Sequence, residues 1–556
     1  MPQSGSGNRI GNLVWLLALG VVSSIWCATT WKHQGPTFDE TLYVRYGLES
    51  WRTGSRGLAL HDGVMPLPAD VQTLPIYLDE RYRGSPCDPI GDLPRILPTA
   101  RAGTLVFWWA LLIYAFRWGH ALGSHWGGRW ASGLIATDPN FLAHAALATT
   151  DIAMTATMLI AVYHFYRGRE RGPWLRVVLP GILFGVALSA KASALPYVPI
   201  LFAAVGWNHL HSAGKMPRPI LQLRAWQIAT LRLRWDLCYA FGIGLVWVLL
   251  YTGSDWQAER QFVEWAKSQP KGSGRDTVIW LAEHGTACFP NALEGLARQI
   301  KHGMKGHDSA FVLGDYYPTS VWFYFPVTLA VKLPDSTLAL LLLAVLLRRL
   351  DWRSPAVWAA LVLLLFSLTT RVQIGIRIVF PLVAFLLIAL GVALASPWES
   401  LTRRRLGWIA GFMAMVYSAA LVVSCWPDGI RFTNRVWGGP DRGAALLADS
   451  NYDWGQGLPE LKEWWSANGE PLLFVWFYGS DPQQLLSPFH RLPLNEMQWN
   501  SEAVVRGTVG DGYFAVSVSL LNACPDRRPQ TLKTIAWLKS LTPVARTRTA
   551  FIYKLK

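Results

Sequence analysis

Two carboxylates stand side by side in Thr37-Phe38-Asp39-Glu40, just after an apolar stretch running from Leu13 to Thr30. Adjacent acids at the edge of an apolar segment are costly, because desolvation disfavours their charged forms. A pair placed there at such a cost reads as functional. Capping is the plainer account: Thr37 or Asp39 would cap a segment Thr41–Trp51, with Glu40 favouring its N-terminus. The two accounts are compatible. A second acidic stretch, Asp138-Pro139-Asn140-Phe141-Leu142-Ala143-His144, runs on to Thr149-Thr150-Asp151. Asp151 opens the next apolar segment and has an N-cap reading, while Asp138 before Pro139 has a turn reading. Cations follow in apolar surroundings: Lys191 within Ser189-Ala190-Lys191-Ala192-Ser193, Lys332 within Val331-Lys332-Leu333-Pro334, and Arg371 and Arg377 around a short turn. Their natural partner is a lipid phosphate, with snorkelling or local ion pairs as the alternative. His302 and His307, in a glycine-broken loop leading to Tyr324-Phe325-Pro326, have metal-like spacing without a further ligand. A substrate-contacting or structural loop therefore fits better than a metal site.

The elements that must hold these groups are membrane spans. Of the 556 residues, 52% are hydrophobic and only 16% charged, against about 25% charged in soluble domains. Thirty tryptophans fit a chain with much membrane–water interface. Candidate spanning stretches, several of them short, lie at 13–30, 102–120, 129–148, 151–166, 177–194, 196–210, 236–253, 326–347, 355–370, 378–396 and 408–426, roughly eleven against a span of about 20 residues. The net charge of +15 resides in short loops, not in a basic helix of the nucleic-acid type, so no nucleic-acid partner is expected. The six cysteines lack CxxC spacing and read as isolated, mostly buried thiols; a Cys87–Cys288 bridge, with both residues on the outer side, is the alternative.

Basic clusters fix an orientation. Arg9; Arg167, Arg169, Arg171 and Arg176; Lys215, Arg218, Arg224, Arg232 and Arg234; Arg348, Arg349 and Arg353; and Arg403, Arg404 and Arg405 all fall on one side when the spans alternate. The positive-inside rule makes that side cytoplasmic. The expected layout is a plasma (inner) membrane protein with a cytoplasmic N-terminus and a helical core over 1–426. Outer loops at 31–101 and 254–325 and an extracytoplasmic α/β domain at 427–556 complete it. Within that domain, Ala444–Ala448, Leu472–Tyr478 and Tyr513–Val518 read as strands and Thr549–Leu555 as an edge strand. Pro459–Trp465 and Thr531–Leu541 read as helices.

These motifs together resemble a family. Phe38-Asp39-Glu40 after a first span resembles the acidic motif of the protein O-mannosyltransferase-like branch of the GT-C glycosyltransferases. The stretch Asp138–His144 through Asp151 is similar to the second acidic loop of bacterial members, and Tyr324-Phe325-Pro326 with Lys332-Leu333-Pro334 to their late outer-loop motif. Asp449-Ser450-Asn451-Tyr452-Asp453-Trp454-Gly455-Gln456 resembles the segment that opens the outer domain of bacterial phospholipid-carrier-dependent glycosyltransferases. The resemblance implies a mainly α fold, a GT-C transmembrane bundle with a small C-terminal α/β domain. It implies an inverting transfer of a sugar from polyprenyl phosphate to a protein, lipid or glycan acceptor. Asp39 would be the general base, Glu40 would shape the site and Asp151 would orient a substrate. Lys191, Arg371, Arg377 and Lys332 would meet the donor phosphate, and Asp138, His302, His307 and Tyr324 would line the substrate loops.

One departure stands out. Related lipid-modifying transferases carry a lysine and two prolines in the first outer loop, where this chain reads Cys87-Asp88-Pro89-Ile90-Gly91-Asp92. Arg95 or Arg101 is the available substitute for that phosphate contact. No cofactor is expected; the loop carboxylates would be enough to hold a divalent ion, but none is assigned. The rival class is a multi-span transporter, which places ionisable groups near the bilayer midplane between matching broken helices. Here the acids sit at span ends on one side.

Overall fold

The computed structural model describes residues 6–214, 223–256, 260–272, 274–285, 290–307 and 309–555. Lys215, Arg218 and Cys288 lie outside them. Every one of the apolar stretches above is helical over most of its length. Among the described residues, five helices are long and apolar enough to cross a membrane, and a sixth candidate is a bent pair. The protein is a polytopic helical bundle with a small sheet domain at its C-terminal end.

Two stretches differ from the sequence expectation. The segment 129–148 is not one span: the helix Leu93–Ala136 ends before it, and Pro139–Ala145 is a separate short helix. Asp138 ends the continuity, because its side chain accepts from the N–H groups of Asn140 and Phe141 and starts the new helix. Leu93–Ala136 itself folds back on itself. Gly123 and Ser124 leave helical geometry, and a Cβ at Gly119 would stand 2.3 Å from the carbonyl oxygen of Gly127. The two arms touch backbone to backbone, as small residues allow between membrane helices. The segment 326–347 is likewise broken, into Tyr324–Lys332 and Asp335–Leu346 at an angle of 110°. Pro334 at the junction cannot donate to the preceding turn.

The helix Phe380–Ala395 is the bundle's centre, buried along nearly its whole length against the Leu93–Ala136 hairpin. In the loop 31–101 the helices Glu40–Thr53 and Leu67–Arg83 pack together. The loop 254–325 carries a small antiparallel hairpin of β1 (Ala310–Val312) and β2 (Asp315–Tyr317).

The C-terminal domain has one five-stranded sheet. Its strands are β3 (Leu473–Trp476), β4 (Phe489–Arg491), β5 (Tyr513–Ser517), β6 (Ala545–Arg546) and β7 (Ala550–Lys554), in the order β4-β3-β5-β7-β6. The β3–β4 and β3–β5 pairs are parallel, and β7 runs antiparallel to β5. The expected helices appear as Leu458–Ala467 and Pro529–Ser540. Ala444–Ala448 is not a strand; Pro440–Leu446 is helical and only Leu447 makes a bridge, to Val312. Pro440 at the first turn starts that helix, a position proline suits. Nor is β7 an edge, because the short β6 covers it. Cys87 is a buried free thiol hydrogen-bonded to Glu80.

Candidate active site

Four helix ends and a segment of the tail meet around the acidic motifs. Asp39 precedes the helix Glu40–Thr53, and Asp151 begins Asp151–Gly168. Lys191 follows Leu179–Ala190, and Arg377 lies in the 3-10 turn Ile376–Val379 that leads into Phe380–Ala395. The fifth contribution comes from the tail, through Ser450 and Trp454.

Arg377 is the hub. It is buried, and its Nη1 donates to Asp39 Oδ2 at 3.0 Å and stands 3.7 Å from Asp151 Oδ2. Its Nε donates to Ser450 Oγ at 3.0 Å, and its guanidinium stacks 4.0 Å from the Trp454 ring. Gly375 makes this approach possible: at φ 131° it adopts a conformation other residues rarely reach, and a Cβ there would meet Ser450 Oγ at 2.3 Å.

Asp39 sits at the N-cap position without making a capping bond. Its Oδ2 accepts instead from Arg377 and from Tyr43 Oη at 3.3 Å. Among the described residues nothing donates to Oδ1, and the side chain is 23% exposed. It is thus the carboxylate of the cluster with an oxygen left for a substrate. Asp151 is fully buried, with Oδ1 accepting from Lys191 Nζ at 2.6 Å, while Lys191 stays 21% exposed. Among the described residues, neither the other oxygen of Asp151 nor His144 Nδ1, 3.8 Å from it, has a hydrogen bond.

Glu40 points the other way. Its carboxylate is fully buried and gripped by Arg101 through two 2.8 Å bonds. It also accepts from the N–H groups of Thr37 and Ala148. Arg101 directs its remaining N–H groups to the carbonyls of Trp31, Gln34 and Gly35. All five of its donors are used, so it has none for a phosphate. This buried knot fixes the loop that carries Asp39.

Lys332 is a second knot. Its ammonium is buried and donates to the carbonyls of Ile430 and Asn451 at 2.8 Å each, and to that of Phe432. It ties the bend between Tyr324–Lys332 and Asp335–Leu346 to the start of the tail. Tyr324 joins the same network by accepting from Asn451 Nδ2 at 3.1 Å. Lys332→Met is expected to leave three buried carbonyls without a donor. At about 1–3 kcal/mol for each unsatisfied group, thermal unfolding in detergent should move down by several degrees; an unchanged midpoint would remove Lys332 from the scaffold.

The remaining predicted residues lie apart. Asp138 is buried as the cap already described. Arg371 is exposed and donates to the Met304 carbonyl at 2.6 Å. That places it beside the end of the helix Pro290–Lys305, which holds His302, because Gly303 does not break the helix as the sequence suggests; His307 follows just beyond, and the two exposed rings are 6.2 Å apart. Among the described residues no three His, Cys, Asp or Glu side chains come together as a metal site.

Tyr43, His144, Ser450 and Trp454 were not singled out from the sequence. Tyr43 was readable, since it lies one helical turn beyond Asp39. Ser450 and Trp454 lie inside a motif whose resemblance assigned it only to the opening of the tail. The tail also holds the Asp39 loop directly. Phe38 N–H donates to the Trp454 carbonyl at 2.8 Å, Gly35 N–H to that of Gln456 at 3.0 Å, and Ser480 Oγ to that of Phe38 at 2.7 Å.

Nearby, Asp481 is buried and accepts from the Gln483 N–H at 2.9 Å. Burial pushes its carboxyl up to about 6. A carboxyl raised on folding stabilises the protein fully below its unfolded value of about 4, and that contribution is lost as pH rises towards 6. Stability should therefore fall between those values, and Asp481→Asn, which keeps the accepting oxygen, should flatten the fall. A profile identical to wild type would contradict this.

Residues 99–231 match the family model described as dolichyl-phosphate-mannose-protein mannosyltransferase. No curated protein sequence matches the chain. Among solved structures, ArnT from Cupriavidus metallidurans bound to undecaprenyl phosphate is 13% identical, with 97% of each chain covered and a TM-score of 0.45. The oligosaccharyltransferase AglB from Archaeoglobus fulgidus, in complex with an inhibitory peptide and a dolichol-phosphate, is 12% identical. The match covers 91% of this chain and 70% of that one, with a TM-score of 0.41.

Proposed function

We propose that the protein is an integral-membrane glycosyltransferase that moves a sugar from a polyprenyl-phosphate donor to an acceptor hydroxyl on the outer side of the plasma membrane, with inversion. The observation that carries this is the Asp39 cluster: a part-exposed carboxylate with one free oxygen, beside a buried guanidinium and a part-exposed ammonium. The family-model match across residues 99–231, which include Asp138, His144, Asp151 and Lys191, supports the same reading.

In the reaction the acceptor oxygen attacks the anomeric carbon as its proton passes to Asp39 Oδ1. The bond from that carbon to the phosphate oxygen breaks, and the lipid phosphate leaves with the electron pair. Proton transfer helps because the hydroxyl becomes acidic only as the new bond forms. Lys191 and Arg377 stabilise the charge that gathers on the phosphate, which is commonly the largest contribution to such a step. Asp151 holds Lys191 in place, and Glu40 and Lys332 act at one remove, through the loops they pin. On this reading Arg371, His302 and His307, which are exposed, meet the acceptor as it approaches. The tail, whose Ser450 and Trp454 contact Arg377, contributes to acceptor recognition.

The test is transfer of radiolabelled sugar by purified protein in nanodiscs, with hexosyl and pentosyl polyprenyl phosphates offered separately. Consumption of one donor supports the reading and settles hexosyl against pentosyl transfer. If no donor is consumed across a broad panel of acceptors while a labelled solute crosses the membrane, the transporter takes its place.

A further inference from the structure

A cavity of about 460 Å³ opens at the end of the bundle away from Asp39. It lies between the helices Asp335–Leu346, Phe380–Ala395 and Leu401–Ser424. Leu390 is 13 residues beyond Arg377 along one continuous helical path, or about 20 Å at 1.5 Å per residue, so this is a different site. Its walls are leucine and alanine side chains. Leu343, Leu347 and Leu406 are 45%, 57% and 60% exposed, so it opens on the surface that faces lipid.

The mouth is basic. The two connecting stretches beside it, 347–354 and 396–405, hold six arginines against two carboxylates, Asp351 and Glu399. Glu399 is already paired with Arg403. Arg349 stands where apolar wall meets polar mouth. Its Nη atoms cap the exposed end of Phe380–Ala395, donating to Ser396 and Pro397 carbonyls at 2.8 and 2.9 Å, and the guanidinium stacks 4.0 Å from the Trp398 ring. Its Nε is buried and has no acceptor among the described residues. A buried donor without a partner marks a place where an acceptor belongs.

We infer that this cavity binds an anionic phospholipid of the surrounding leaflet, with an acyl chain along the leucine walls and its phosphate at the arginine mouth. An occupant must be apolar to fill the walls, and anionic to answer the surplus of arginines and the Arg349 Nε–H. The inference is independent of the transferase reading.

The experiment is native mass spectrometry of the delipidated full chain titrated with phosphatidylglycerol or with phosphatidylcholine of the same acyl chains. Phosphatidylglycerol is expected to bind about tenfold more tightly, as one or two charge-assisted contacts allow. Arg349→Gln should abolish the preference. Ala410→Trp, which fills the cavity without altering an arginine, should weaken binding of phosphatidylglycerol to the same extent, so the test survives even if Arg349→Gln misfolds. Equal affinity for the two lipids, or undiminished binding by a folded Ala410→Trp protein, overturns the inference. So does displacement of the phospholipid by stoichiometric polyprenyl phosphate, which would make the carrier lipid the occupant.

Discussion

Asp39→Asn is expected to leave the protein folded and to lower sugar transfer by about 10²–10⁴-fold, the usual contribution of a positioned general base. The substitution keeps shape and leaves an oxygen to accept from Arg377 and Tyr43, which now bond to Oδ2. What it removes is the ability to take a proton. Because the side chain is 23% exposed and makes no capping bond, stability should change little. Asp39→Glu, which returns a carboxylate one methylene out of place, should recover part of the rate. Donor binding, read separately by retention of labelled lipid, should survive in both variants, since the proposed phosphate contacts, Lys191 and Arg377, are unchanged. Full activity in a folded Asp39→Asn protein would leave the glycosyltransferase assignment standing and remove Asp39 as its base.

The second large effect is on folding. Glu40 and Arg101 are both fully buried and joined by two 2.8 Å bonds. Removing one partner leaves an uncompensated buried charge, at a cost of about 3–5 kcal/mol. Glu40→Gln and Arg101→Met are each expected to destabilise the protein strongly and, with the loop 35–40 released, to abolish activity. The double variant should be more stable than the sum of the two losses predicts, because the stranded charge is gone. Thermal unfolding of the four proteins in the same detergent reads this cycle. Strict additivity would mean that the pair is not the tie it appears to be by geometry, and that the carbonyls of Trp31, Gln34 and Gly35 hold the loop through Arg101 alone.

How far these features were legible from sequence follows from how local their causes are. The apolar stretches became helices because length and hydropathy are properties of a single segment. The breaks at Pro334 and Gly123-Ser124 needed more: a proline or glycine marks where a helix is able to bend, and only the neighbours decide whether it does. The interior position of β7 depends on β6, a two-residue strand too short to leave a pattern. Within the site, Asp39, Asp151, Lys191 and Arg377 were visible because ionisable residues among apolar ones are conspicuous. Their division of labour was not. Asp39 and Glu40 are adjacent and look equivalent, yet one faces the cluster and the other is locked to Arg101, 61 residues away. The same holds for Lys332, which looks like a phosphate ligand from its surroundings in sequence. Three carbonyls from about 100 residues downstream occupy it instead.

The tail's place in the cluster also bears on how the protein comes to exist. Arg377 is made 338 residues after Asp39, and Ser450 and Trp454 later still. At about 5–20 residues per second, the first acidic loop leaves the ribosome tens of seconds before its guanidinium partner exists. Glu40 is matched much sooner, as soon as Arg101 follows. The nascent chain can therefore settle its buried carboxylate early, once the first turns of Leu93–Ala136 are made, while Asp39 still lacks its partner. The cluster closes only when the tail has folded against it, so a chain stalled or clipped before residue 450 is built without Ser450 and Trp454 beside Arg377.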